Sequence, residues 1–196
     1  MIDPIAFTLA AFALLATPGP TNTLLATSGA SAGFKRSIHL VFAEMLGYLI
    51  SVSTLSLVIG PLVRASHTFD IALRVLCGLF LFYSAWKLWR EGAAAISSEA
   101  PVSFRRVFVA TLLNPKGVVF AFVIVPYLSH GAPLQAIPYM GGLLALICVV
   151  GGAWVAGGAA LRAGASGALG AGLARRAGAL VLCVFAAIIS GSAFSA

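Results

Sequence analysis

The stretch LLATPGPTNTLLAT, residues 14–27, decides how the rest of this chain is read. It lies where an apolar membrane-spanning helix should be most regular. Yet Pro18 and Pro20 flank Gly19 there, and Thr21, Asn22 and Thr23 follow at once. Proline removes a helical N–H and crowds the preceding turn. In hydrocarbon, carbonyls left bare are costly unless another group bonds them, so such a break belongs where protein surrounds it or water reaches it.

The composition places this break in a membrane protein. Of 196 residues 61% are hydrophobic and 9% charged, against roughly 45–50% and about 25% in soluble domains. Apolar runs long enough to cross about 30 Å of hydrocarbon recur along the chain. The expected class is therefore an all-α polytopic membrane protein. A β-barrel would show alternating segments of about ten residues, and none is present. The first apolar segment has only Asp3 as a charge before Lys35, so it reads as a span and not as a cleavable signal.

Six spans are predicted, at 4–28, 38–63, 69–88, 104–127, 134–161 and 178–194. They form one transmembrane domain over 1–196, with halves of approximately 1–90 and 101–196 joined by a connector at 91–100. The charge follows this map. Lys35, Arg36, Lys87, Arg90, Arg105, Arg106, Arg162, Arg175 and Arg176 fall on one side, Arg64 and Arg74 on the other, and Lys116 inside a span. The positive-inside rule puts the first, third and fifth connectors in the cytoplasm and both termini outside. The net charge of +7 thus reads as topology and not as a nucleic-acid face.

Three spans after the first break comes a second. TLLNPKGVVF, residues 111–120, sets Asn114, Pro115, Lys116 and Gly117 into an apolar helix. The breaks occupy the first member of each three-helix half, and an odd number of spans per half makes the halves inverted. Interrupted helices at corresponding positions of inverted halves point to a transporter's binding site. A helix N-terminus suits a carboxylate and bare carbonyls suit an ammonium. An amino acid fits this chemistry, and other small polar metabolites fit it almost as well.

Two ionisable groups lie at membrane depth. Lys116 follows Arg106 by about ten residues, roughly 15 Å along a helix, too far to reach the cytoplasmic face easily. Glu44 is shallower, eight residues after Arg36. Buried charges are expensive and are functional candidates for that reason. Lys116 is read as facing a substrate carboxylate or serving coupling or, alternatively, as bonding carbonyls freed by Pro115. Glu44 is read as a proton carrier or, alternatively, as an interfacial carboxylate paired with Lys35, Arg36 or another cation.

The remaining features have structural readings. Asp70 and Arg74 are spaced for a helical ion pair. AWKLWR, residues 85–90, suits a membrane–water boundary. Ala43, Gly47 and Ser51, like Cys148, Gly152, Ala156 and Ala160, are small residues at a spacing of four that allows close helix packing. Cys77, Cys148 and Cys183 are read as buried packing residues, and GASAG, residues 29–33, as a turn after the first span. The Gly/Ala-rich region 157–179 is read as a pliable connector. No metal-ligand spacing and no cofactor motif is present.

TPGPTNTLLATSGASAGFKRSIHLVFAEMLGYLIS, residues 17–51, resembles the first helix pair of the lysine exporter / homoserine–threonine resistance (LysE/RhtB) superfamily. Pro18, Gly19, Pro20 and Asn22 match its Pro-Gly-Pro motif with a following polar residue, and Gly33, Lys35 and Arg36 match its basic turn. LLNPKGVVFAFVIVPYL, residues 112–128, resembles its second signature, and LFLFYSAWKLWR, residues 79–90, the end of its third helix. The resemblance implies proton-coupled efflux of amino acids or close derivatives from the bacterial cytoplasm. This chain departs from the family pattern at Ala43, often glycine, at Glu44, often apolar or amide, and at Tyr48, often acidic. Glu44, one turn before Tyr48, is the substitute such a departure suggests.

The expectation is an inner-membrane secondary transporter, not an enzyme, that exports amino acids by proton antiport. Its substrate path runs past Pro18, Gly19, Pro20, Thr21, Asn22, Asn114, Pro115 and Lys116, with Glu44 as the proton-coupling candidate and no cofactor or metal. The expected partners are the lipid bilayer, protons and a small zwitterionic substrate, with a homodimer left open. The competing readings are a non-transporting membrane accessory subunit, an exporter of another small polar metabolite, and a membrane-embedded enzyme. An accessory subunit leaves unexplained why two helices carry proline breaks flanked by polar groups. An enzyme lacks an acid–base or nucleophile–base pair in the sequence.

Overall fold

The computed structural model describes residues 3–90, 102–125 and 133–162, together with 176, 179–180, 182–184, 186–188 and 190–191. The connector at 91–100, most of the fifth connector and parts of the sixth predicted span lie outside the described residues. Within them the fold is all-helical. In chain order the elements are α1 (Pro4–Ala16), α2 (Pro20–Ala32), α3 (Phe34–Ser37), α4 (Leu40–Ala65), α5 (His67–Arg90), α6 (Phe104–Leu112) and α7 (Lys116–Val119). A π-helical turn (Phe120–Ile124) and α8 (Pro133–Arg162) follow.

Among the described residues three helical stretches are long and apolar enough to cross a membrane: Phe34–Ala65, His67–Trp86 and Pro133–Arg162. The pair α1 and α2 makes a fourth if a bent pair counts as one span, the two axes diverging by 61°. The cause is the opening motif. Pro18 and Pro20 have no N–H to continue the ladder from α1, and Pro20 then serves as the first residue of α2, where a missing donor costs nothing. The fourth predicted span is broken as expected, α6 ending at Leu112 and α7 starting at Lys116. Beyond it a 2.8 Å bond from Val125 N to Phe120 O closes the π turn.

The outer surface is apolar. Phe42, Leu46, Ile50, Leu57 and Val58 on α4, and Leu76, Leu79, Phe82, Trp86 and Trp89 on α5, are exposed. Soluble chains seldom expose so continuous an apolar face, whereas lipid tails solvate it. The Arg90 guanidinium lies 5.0 Å from the centroid of the Trp86 ring, a cation–π contact at the predicted boundary. The Asp70–Arg74 pair forms at 3.0 Å.

Small residues set the helix spacing. A Cβ on Gly158 would collide with the Ala26 carbonyl, and one on Gly29 with the Val155 carbonyl, so α2 and α8 touch backbone to backbone. Ala43, Gly47 and Ser51 are buried as expected, and a Cβ on Gly47 would lie 2.6 Å from Thr111 Cβ. The second stripe is corrected. On α8 the inward face carries Ile147, Gly151, Val155 and Gly158, while Cys148 and Ala156 point outward. The helical phase differs by one residue from the predicted stripe. Of the three cysteines only Cys77 is buried, and Cys148 and Cys183 are exposed. GASAG is also corrected: α2 runs on to Ala32, and the chain turns only at Gly33, where φ is +82°.

The contacts give helix directions. Gly47 meets Thr111 and Gly117 meets Ser51, so α4 and the broken fourth span run parallel. Arg162 at the end of α8 donates to the Ser31 carbonyl at the end of α2, 3.0 Å away. Phe7 on α1 stacks edge-on to Tyr139 near the start of α8, with 5.1 Å between centroids. The broken first span and α8 therefore run in the same direction, and the first and fifth connectors begin on the same side.

Candidate functional site

The two breaks meet. Thr21 Oγ1 lies 3.1 Å from Thr111 Oγ1, and the Lys116 ammonium donates to the Thr17 carbonyl at 2.6 Å. Advancing from 17 to 21 on one strand of the crossing goes with retreat from 116 to 111 on the other, so the broken spans pass antiparallel. Sequence reasoning joined these motifs by analogy of position. Their packing makes one polar cluster of them.

Each break is held open by side chains that replace lost helical bonds. The Asn22 amide nitrogen donates to Leu15 O at 2.7 Å and to Thr17 O at 2.9 Å. Both carbonyls belong to the end of α1, where continuation of the helix would have supplied N–H groups from Gly19 and Thr21. In the second break the Asn114 side-chain oxygen accepts from Lys116 N at 3.1 Å, an Asx-type turn. Its amide nitrogen donates to Tyr48 OH at 3.1 Å and contacts Thr21 Oγ1 at 3.3 Å. Tyr48 is fixed in turn by an edge-on contact with Phe120. Thr111 completes the cluster by donating to Val107 O at 2.9 Å.

Lys116 therefore bonds a carbonyl freed by the first break, not one freed by Pro115 beside it. Its side chain is 6% exposed and its nitrogen packs on the Gly19 Cα, where an added Cβ would stand 3.4 Å away.

A cavity of about 460 Å³ opens beside this crossing, within the usual size range of small-molecule sites of roughly 300–1,000 Å³. Pro18, Gly19, Pro20 and Thr23 form one wall and Asn114, Pro115 and Lys116 another. The third wall is α5, through Phe80, Leu81, Tyr83 and Ser84, with Leu182 next to it. Thr21 and Asn22 sit behind the cavity, 1% and 3% exposed, inside the network that shapes it. Sequence reasoning missed the α5 wall, because LFLFYSAW carries no break or intramembrane charge to mark it. It also missed Thr17, whose contribution is a backbone carbonyl, and Thr111.

Glu44 is 2% exposed, and its Oε2 has no hydrogen-bond partner among the described residues. It lies against the α8 backbone, 2.6 Å from where a Cβ on Gly151 would be, with Leu25 and Val41 packed on the same spot. That replaces the interfacial reading, since Lys35 and Arg36 are exposed on α3.

A family model for the LysE type translocator matches residues 12–192, a span that contains both breaks and every wall of the cavity. The chain belongs to the LysE type translocator family. Among curated proteins it is similar to the cysteine/O-acetylserine efflux protein of Klebsiella pneumoniae subsp. pneumoniae. The two are 25% identical over 105 residues, which is 53% of this chain and 54% of that protein. The chain thus spans about half the length of the curated relative it matches. No solved structure matches this LysE type translocator.

Proposed function

We propose that this chain is an inner-membrane secondary transporter that exports amino acids or close derivatives from the cytoplasm, driven by the proton gradient. The observation that carries this is the Lys116–Thr17 bond, a buried cation of one broken span held by a backbone carbonyl at the break of the other, at the wall of a cavity. A substrate carboxylate is a better partner for an ammonium than a carbonyl is. The N-terminus of α2, at Gly19 and Pro20, faces the same space and favours the same charge. Substrate arrival would exchange Thr17 O for a carboxylate and loosen the tie between the two spans.

The rest of the assignment follows the residues. Pro18, Gly19, Pro20, Asn114, Pro115 and Lys116 line the path, and Thr21 and Asn22 hold its shape from behind. Glu44 is the proton-coupling group: it is a buried carboxyl whose Oε2 has no hydrogen-bond partner among the described residues, and it would gain and lose the proton as substrate moves. Six spans in two inverted halves are supported by the antiparallel crossing and by the shared side of Ser31 and Arg162, and the basic connectors would put both termini outside. The relative's efflux of cysteine and O-acetylserine supports export as the direction.

The test is efflux from cells expressing the chain, measured for a panel of amino acids with and without an uncoupler. Faster appearance outside than in empty-vector cells, abolished by the uncoupler, is expected. Equal rates in both would refute the export proposal.

A further inference from the structure

Among the described residues lining the cavity Lys116 is the only ionisable side chain apart from the Tyr83 phenol, and no carboxylate is present. The whole chain has five acidic residues. Asp3 caps the far end of α1, Asp70 is paired with Arg74, and Glu91 and Glu99 fall in the connector predicted from sequence, outside the described residues. Glu44, the fifth, packs against Gly151 and forms no part of the wall. Phe80, Leu81 and Leu182 line the same cavity, with Thr23 and Ser84 as neutral polar groups.

We infer that the substrate is an amino acid with an uncharged side chain, which lies on the α5 wall at Phe80, Leu81 and Ser84 while its carboxylate meets Lys116. This rests on the exporter proposal and deepens it. A zwitterion brings its own counter-charge, so its ammonium needs only hydroxyl or carbonyl oxygens beside a paired carboxylate. A second cation, as in free lysine or arginine, would lie against an apolar wall with nothing to pair it, and an unpaired desolvated charge is strongly disfavoured. A second carboxylate fares no better, because Lys116 already holds the first.

The test uses the full chain, purified and reconstituted in liposomes of bacterial polar lipids, with counterflow of labelled leucine, threonine, cysteine, lysine, arginine and glutamate. At least one neutral amino acid should exchange tenfold or more faster than lysine, arginine and glutamate. Exchange of a charged amino acid within threefold of the best neutral one overturns the inference and leaves the exporter proposal standing. Exchange of none of them overturns both. In Ser84→Asp a carboxylate enters the side-chain wall, and the lysine-to-leucine rate ratio should rise at least fivefold. Ser84→Asn is the isosteric control and should leave the ratio unchanged. A Ser84→Asp protein that still exchanges leucine with the wild-type ratio would remove α5 from the specificity site.

Discussion

Asn22 separates a residue that shapes the site from one that touches the substrate. Its amide nitrogen bonds two carbonyls, Leu15 O at 2.7 Å and Thr17 O at 2.9 Å, and its side chain is buried and absent from the cavity walls. In Asn22→Leu both bonds vanish. Thr17 O keeps the Lys116 ammonium, so the net loss centres on one orphaned carbonyl at Leu15. An unsatisfied buried group costs about 1–3 kcal/mol, and measured interhelical polar bonds in membranes average about 0.6 kcal/mol with a maximum of about 1.7. A loss of about 1–2 kcal/mol is therefore expected. For a chain of this size that lowers Tm by roughly 2–8 °C, which thermal unfolding in detergent can read from the tryptophan signal. The transport KM should change less than threefold, since Lys116 and the cavity walls remain. A Tm within 1 °C of wild type together with a tenfold higher KM would refute the reasoning and make Asn22 a substrate contact.

Three further outcomes follow from the same geometry. Lys116→Met removes the charge that would meet a carboxylate, a loss of about 1.5–3 kcal/mol for a charged hydrogen bond. KM for export should rise about 10- to 100-fold with membrane insertion intact, and unchanged kinetics would take Lys116 out of the site. Glu44→Gln keeps the shape against Gly151 but cannot release a proton. Substrate exchange should persist while uphill export and its dependence on external pH are lost, and an unaltered pH profile would return Glu44 to a packing role. Gly158→Ala puts a methyl group into the Ala26 carbonyl. The strain should cost about 1–3 kcal/mol, seen as a lower Tm, whereas Gly157→Ala, where a Cβ meets nothing within 4 Å, should leave Tm unchanged.

How much was legible in advance differs from residue to residue. Pro18, Gly19, Pro20 and Asn114, Pro115, Lys116 announced themselves, since proline and charge are conspicuous against an apolar background. That the two breaks belong together was also legible, from their corresponding positions in the predicted halves, and the structure brings them into contact. The partners were not. Lys116 bonds Thr17 O, a backbone atom that any residue at that position could supply. Asn22 bonds the helix that precedes it and is turned away from the cavity. Phe80, Leu81 and Ser84 look in sequence like any lipid-facing stretch, and only packing turns one face of α5 toward the breaks. On α8 the small residues were visible but their phase was not, because glycine and alanine occur on both faces of that helix.

The sequence by itself determined the membrane environment, the helical class and the two points where helices fail. Each of those is a local consequence of hydropathy or of proline's missing N–H. The tertiary structure decided which bare carbonyl meets which donor, which wall completes the cavity, and that Glu44 sits in the interior against Gly151. Those depend on how close two backbones can come, and that distance is set by glycines such as Gly29, Gly47 and Gly158 acting against partners far away in the chain.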